Sequence, residues 1–323
     1  MWRLVAARAA QAAAIVAIVA TVTFALIHLA PGDPFAAALD GPTVAPEIRA
    51  MWREKFGLDR PLAEQYVRYL ANVARGDLGW SFSQHRPVAD ALATAIPNTL
   101  LLTGTALVLS FALGVLAALF QASRHGTLAD RGTGAVLLVF YSVPDFWLAL
   151  MAMLLLGYAL PIFPVSGIVD PVMHEYMSGW GRIVDRVRHL ALPSLTLTLL
   201  TTAVIARHQR AALLDVARED FVRSARAKGV AERTILWRHT LRNALGPTIT
   251  LLGLLLPALL GGAVFVESIF AWPGMGTLAT KAVGMRDYAL VTAVAIVGAA
   301  MVALGSLVAD ILTAAADPRL RDA

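Results

Sequence analysis

The side chains with the clearest chemical potential lie between Phe221 and Pro247, in FVRSARAKGVAERTILWRHTLRNALGP, where basic residues gather in an Ala-rich stretch broken by a glycine. Helical spacing places Phe221, Val222 and Ala225 on one face and Arg223 and Arg226 on another. Lys228 and Gly229 then mark an end, because glycine accepts a left-handed turn at no steric cost. A second helix is expected from Glu232, with Ile235, Leu236 and Trp237 supplying apolar surface and Arg233, Arg238, His239 and Arg242 supplying charge. From the residues alone this is an interfacial segment whose arginines meet anionic lipid headgroups. Two acidic residues in apolar surroundings are the other candidates. Asp145, between Pro144 and Phe146, is too costly to face lipid, and so either pairs with another helix or lines a pore. Glu267, in FVESIFAWPGMG, is either packed or part of a gate.

Other chemistries are excluded by what the chain lacks. There is no cysteine, so disulfides and thiolate catalysis are ruled out. The seven histidines form no metal-ligand spacing, and neither a phosphate-binding G-x-x-x-x-G-K-[ST] loop nor a G-x-S-x-G elbow occurs. No catalytic residue, metal site, chain-bound cofactor or nucleic-acid partner is expected. Nothing in the chain itself is expected to hydrolyse ATP.

The elements that must position these residues are membrane helices. The 323 residues are 58% hydrophobic and 15% charged, with a mean hydropathy of +0.67, a composition of integral membrane proteins. Runs free of charge long enough to cross about 30 Å of hydrocarbon start with Ala9 to Gly32 and with Ala91 to Ser123, whose membrane portion is Ile96 to Ala122. A third, Thr133 to Gly157, is interrupted by Asp145, and a fourth, Leu190 to Ala206, continues into charged residues. Thr248 to Val266 and Tyr288 to Ala309 complete six expected spans. The first run is read as a retained helix: it exceeds a signal-peptide core and offers no small-x-small cleavage site. Asp310, near the end of the last run, receives no role.

Basic loops resist translocation, so orientation follows from sorting charges. With the N-terminus inside, 15 of the 27 basic residues face the cytoplasm against seven acids, whereas the outer segments hold 12 of each. Both termini are therefore expected in the cytoplasm. The first outer segment carries two amphipathic patterns, Ile48, Met51, Trp52 and Phe56, then Leu62, Tyr66, Tyr69, Leu70 and Val73 after Pro61. It reads as a cap on the helix bundle or as a docking surface for an external partner.

Taken in order, the motifs carry a family resemblance. APGDP, FGLDRPLAEQYVRYL, GDLGWSF, SVPDFWLAL, FPVSG, ALPSLTL, DFVRSARAKGVAERTILWRHTLRNALGP, GGAVFVESIFAWPGMG, RDY and DPRLR run almost the whole chain. Together they resemble the permease subunits of bacterial ATP-binding-cassette importers of the dipeptide, oligopeptide and nickel group. The general signature of such importers has Glu-Ala-Ala six residues before its glycine, whereas Arg223, Ser224 and Ala225 stand here.

The resemblance implies an all-α integral membrane protein with six transmembrane helices and a type I importer permease fold. Its parts would be an N-terminal helix (1–32), an external helical cap (33–95), a five-helix core (96–316) with a coupling loop at 207–247, and a tail (317–323). It implies a bacterial inner-membrane location and half of a pathway for peptides. The partners would be a second homologous permease, two ATP-binding subunits that hold ATP and magnesium, an external substrate-binding protein, the cargo and membrane lipid. On this reading Phe221, Arg223, Ala225, Arg226, Lys228, Gly229, Glu232 and Arg238 couple to an ATPase subunit, and Pro144, Asp145, Phe146 and Glu267 belong to the translocation pathway. A stand-alone proton-coupled transporter is the rival class, and it would be expected to show internal repeats. Nickel or glutathione import is the alternative within the family.

Overall fold

Helical periodicity and the near-absence of strand signals translate into a chain of helices. The computed structural model describes residues 2–29 and 60–316, with side chains at all of these except 2–5, 256–262 and 312–316. The stripe at Ile48, Met51, Trp52 and Phe56 and the tail 317–323 lie outside the described residues. In order come α1 (Trp2–Leu29), α2 (Leu62–Ala74), a two-residue hairpin pairing β1 (Trp80–Ser81) with β2 (Arg86–Pro87), α3 (Val88–Ser123) and α4 (Leu128–Ser142). Then follow α5 (Asp145–Ala152), running into a π turn at Met153–Ala159, and α6 (Gly179–Val216). Next are α7 (Asp220–Ala227), a helical turn at Glu232–Thr234 that passes through a π turn (Ile235–Leu241) into α8 (Arg242–Gly262), α9 (Val264–Ile269), α10 (Met275–Gly284) and α11 (Tyr288–Ala316).

Among the described residues, Ala6–Leu29, Val88–Ser123, Gly179–Val216 and Tyr288–Ile311 are long and apolar enough to cross a membrane. The third expected span is not a single rod: α4 and the helix from Asp145 to Ala159 meet at 103°. Pro144 causes the break, since it lacks an N–H and disfavours helix in the residue before it. Val143 is accordingly extended, and Pro144 becomes the N-cap of α5 rather than a loosened helix interior. The fourth run continues into the charged residues after it, as expected, and also begins earlier, at Gly179, with Pro193 accommodated within α6. The fifth run begins earlier, at Arg242, so Pro247 lies inside α8 instead of at its entrance.

The structure packs as two units. One holds residues 2–99 and 273–304. In it, α2 rests on α1 through the expected stripe: Tyr66 Oη and Thr21 Oγ1 are 2.8 Å apart, and the rings of Tyr66 and Tyr69 lie 5.3 and 5.4 Å from Phe24. The hairpin is held by buried Asp287, whose carboxylate accepts from Ser81 Oγ (2.6 Å), Ser83 Oγ (2.8 Å) and Ser83 N (3.0 Å), and caps α11 through Leu290 N (3.1 Å). Val88, Leu92, Met275 and Leu290 form the core beside it.

The other unit holds residues 100–272 and 305–316. One cluster joins Leu102, Ala149, Leu192, Val266, Phe270 and Trp272, and a second joins Val115, Leu119, Leu213 and Ala244. Small residues set the helix spacing. A Cβ on Gly114 of α3 would fall 2.6 Å from Ile205 Cγ2 of α6, and one on Gly253 of α8 would fall 2.5 Å from Ala309 Cβ of α11. Close backbone approach of this kind is the usual adhesive of membrane helices. Among the buried threonines of α6, Thr201 donates to the Leu197 carbonyl (2.9 Å) and Thr202 to that of Thr198 (2.7 Å) in their own helix, while Thr198 Oγ1 reaches the Ala106 carbonyl of α3 (3.5 Å).

Candidate coupling segment and membrane bend

The stretch from Asp220 to Leu241 forms two helical pieces around a tight turn, as the sequence implies. The turn has Schellman geometry: Gly229 N donates to the Arg226 carbonyl (3.0 Å) and Val230 N to the Ala225 carbonyl (3.2 Å). Gly229 sits at φ +78°. No atom lies within 4 Å of where its Cβ would be, so the backbone angle rather than space requires glycine. Across the turn, Arg226 Nε and Nη2 reach Glu232 at 2.5 and 3.1 Å. This bidentate bond holds the Glu232 carboxyl below the usual carboxylate range and raises Arg226 in return. Both side chains are largely exposed, so the pair shapes the turn more than it stabilises the fold.

One expected grouping is corrected. Phe221 and Val222 do not share a face: Val222 is fully buried, while Phe221 is 45% exposed. Neighbours on a helix lie about 100° apart, so only one of the two can turn inward. Ile235 is the second buried anchor and Trp237 the second exposed aromatic. Arg223, Lys228 and Arg238 are exposed and Ala225 is half-buried. A surface hollow of about 450 Å³ lies between Arg233, Thr234, Trp237 and Arg238. The segment thus shows aromatic and basic groups outward while its aliphatic residues hold it down.

Two connections that sequence reasoning missed tie this segment to membrane helices. Leu236 and Leu241 pack on the cluster of Val115, Leu119 and Leu213. Buried Gln209 of α6 donates to the Ala244 carbonyl of α8 (3.2 Å) and accepts from Thr248 Oγ1. Nearby, Arg210 of α6 forks onto buried Asp130 of α4, Nε to Oδ1 at 3.0 Å and Nη2 to Oδ2 at 2.7 Å. Gly126 N also donates to Oδ2 (3.0 Å). Asp130 and Arg210 are 80 positions apart, and no local pattern announces the pair.

At the bend, Asp145 occupies the first turn of α5, not the middle of a span. It is half-buried and its carboxylate accepts from Phe146 N at 2.7 Å. Pro144 and Phe146 are exposed. Glu267 does not sit in an open turn. It is fully buried in α9, within the cluster of Val266, Phe270 and Trp272, and its carbonyl accepts from Trp272 N at 2.8 Å. Pro144, Asp145 and Phe146 lie together at the bend, and Glu267 lies in α9, whose Val266 shares a cluster with Ala149 of α5.

Comparison with known proteins places this architecture. Residues 95–322 match the family described as binding-protein-dependent transport system inner membrane component, and residues 1–103 match its N-terminal companion. The chain is 40% identical over 315 residues, covering 94% of each chain, to the di/tripeptide transport system permease protein DppB of Pseudomonas aeruginosa. It is 36% identical over 307 residues, covering 95% of each, to the oligopeptide transport system permease protein AppB of Bacillus subtilis. The glutathione transport system permease protein GsiC of Escherichia coli is 36% identical, with 94% of each chain covered. A solved amino acid ABC transporter with histidines aligns over 70% of this chain and 94% of its own at a TM-score of 0.50 and 16% identity, a likeness of fold alone. The chain belongs to the binding-protein-dependent transport system inner membrane components, and is a multi-pass permease subunit of an ABC-type transport system.

Proposed function

We propose that this permease forms half of the transmembrane pathway of an ATP-driven importer of short peptides. It would pair with a second homologous permease, two ATP-binding subunits that carry ATP and magnesium, and an external substrate-binding protein. The observation that carries the coupling role is the helix–Gly–helix segment. It offers Phe221, Trp237 and a basic rim to a partner, while Leu236 and Leu241 pack on Val115, Leu119 and Leu213 and Gln209 joins α6 to α8 beside it. A surface of exposed aromatics ringed by arginines suits a specific protein interface. Closure of the ATPase pair would push this segment and, through it, the membrane helices as a body. The peptide reading is supported by the names of the curated relatives.

In the same reading both termini are cytoplasmic, the chain crosses the membrane six times, and Pro144, Asp145 and Phe146 border the pathway, with Glu267 acting from inside its wall. Reconstitution of the complete complex tests the proposal. Dipeptides should stimulate ATP hydrolysis and accumulate in proteoliposomes, and glutathione and nickel chelates should do neither. Stimulation by one of the latter alone would reassign the cargo, and uptake that needs a proton gradient but no ATP would overturn the mechanism.

A further inference from the structure

Between α4 and α6, with Gln121 of α3 at its floor, runs a groove of about 850 Å³. Its lining is segregated. At one end stand Arg131 of α4 and Arg207 and His208 of α6, all exposed. Neither arginine side chain makes an ion pair among the described residues, in contrast to Arg210, which is committed to Asp130. Gln121 and the Asp130–Arg210 pair also line the groove, and beyond them its wall is apolar, with Leu137, Leu138 and Tyr141 on α4 and Ala203 and Val204 on α6. From Arg131 to Tyr141 is ten residues, about 15 Å of helix, or half the hydrocarbon thickness of a bilayer. A groove with cations at interface depth and an apolar floor running toward the midplane matches an anionic amphiphile.

We propose that this groove binds an anionic phospholipid, its phosphodiester between Arg131 and Arg207 and an acyl chain along Leu138 and Tyr141. Guanidinium groups recognise phosphate oxygens by paired, charge-assisted hydrogen bonds, and basic pockets between membrane helices on the cytoplasmic side are suited to acidic headgroups. A zwitterionic peptide fits less well, since the groove's single carboxylate, Asp130, is occupied by Arg210 and leaves no counter-ion for an ammonium. The inference rests on the proposed topology, which puts this end of α4 and α6 at the cytoplasmic face. It does not depend on peptide cargo, so either reading can fail without the other.

The test uses the whole complex in phosphatidylcholine vesicles, with a bimane fluorophore attached through Leu138→Cys in the otherwise cysteine-free chain. Brominated phosphatidylglycerol or brominated phosphatidylcholine is then added as quencher. The anionic phosphatidylglycerol should associate preferentially, by about fivefold for each arginine near the headgroup. Arg131→Gln with Arg207→Gln should abolish the preference, and Arg131→Lys with Arg207→Lys should keep most of it. Raising the salt concentration should weaken the unsubstituted preference, which checks the charge argument without any change at the arginines. Equal quenching by the two lipids, or a preference unaffected by salt, would overturn the proposal. Absence of quenching by either lipid would show that protein, such as the second permease, covers the groove, and would overturn it too.

Discussion

The turn at Gly229 gives the sharpest test of coupling, because two substitutions perturb it in different ways. Gly229→Ala keeps the N–H that bonds Arg226 and meets no atom within 4 Å, so its only penalty is the left-handed backbone at φ +78°. That penalty is roughly 1–2 kcal/mol. If the turn is a rigid lever, the strain is the same in docked and undocked states and cancels from the docking equilibrium. Gly229→Ala should then lower thermal stability slightly and leave uptake per ATP unchanged. Gly229→Pro requires φ near −65°, a rotation of roughly 140°, and also removes the donor to Arg226. The helical turn from Glu232 would then leave α7 in another direction, and Phe221 and Trp237 could not engage one surface together. The assay is cargo-stimulated ATPase activity and uptake in proteoliposomes, with subunit stoichiometry confirmed for each variant. Wild-type coupling in Gly229→Pro would refute the lever. If Gly229→Ala instead lost coupling about 5- to 30-fold, the factor that 1–2 kcal/mol commands, the strain would fall on one state only and the turn must remodel during the cycle.

Arg210→Gln leaves buried Asp130 without its bidentate partner and should destabilise the permease by on the order of 3 kcal/mol, largely recovered on adding Asp130→Asn; a thermal midpoint equal to wild type in the single variant would show the pair to be dispensable. Arg75→Cys and Ser224→Cys, both at exposed positions, should label from opposite sides of the membrane, Arg75→Cys from outside. Labelling of both from one side would overturn the proposed topology. Asp145→Asn preserves the hydrogen-bonding shape at the start of α5 while removing charge, so assembly should persist as uptake falls. Unchanged uptake would take Asp145 out of the pathway, whereas failed assembly would make it structural.

Much of the fold was legible because membrane helices announce themselves by apolar length, and the turn was legible because glycine follows Lys228 in a strongly periodic stretch. The errors came where one residue decides between two locally acceptable geometries. Pro144 could have kinked a continuous helix, yet it capped a new one, whereas Pro193, in an equally apolar setting, was absorbed into α6. Phe221 and Val222 are both apolar, and periodicity could not say which of the two would turn inward. For Glu267 the neighbouring Gly and Pro residues left both a packed site and an open turn acceptable, and the burial of Val266, Phe270 and Trp272 around it decides for packing. The Asp130–Arg210 and Asp287–Ser83 contacts join residues 80 and 204 positions apart, a separation that no local pattern encodes.

The corner between α4 and α5 has a consequence in backbone polarity. A helix end leaves its last four carbonyls without intrahelical partners, and a helix start leaves four N–H groups. Here the two ends are unequal. Asp145 takes up the Phe146 N–H, while Ser142 Oγ spends its proton on the Leu138 carbonyl, one turn back, leaving the terminal carbonyls to be met by other donors. The corner thus presents polar backbone on both arms, carbonyl oxygens at the end of α4 and N–H groups beside the Asp145 carboxylate at the start of α5. Hydrocarbon cannot solvate such groups. Within a bilayer the corner must therefore face protein or water, which can partner the groups on both arms.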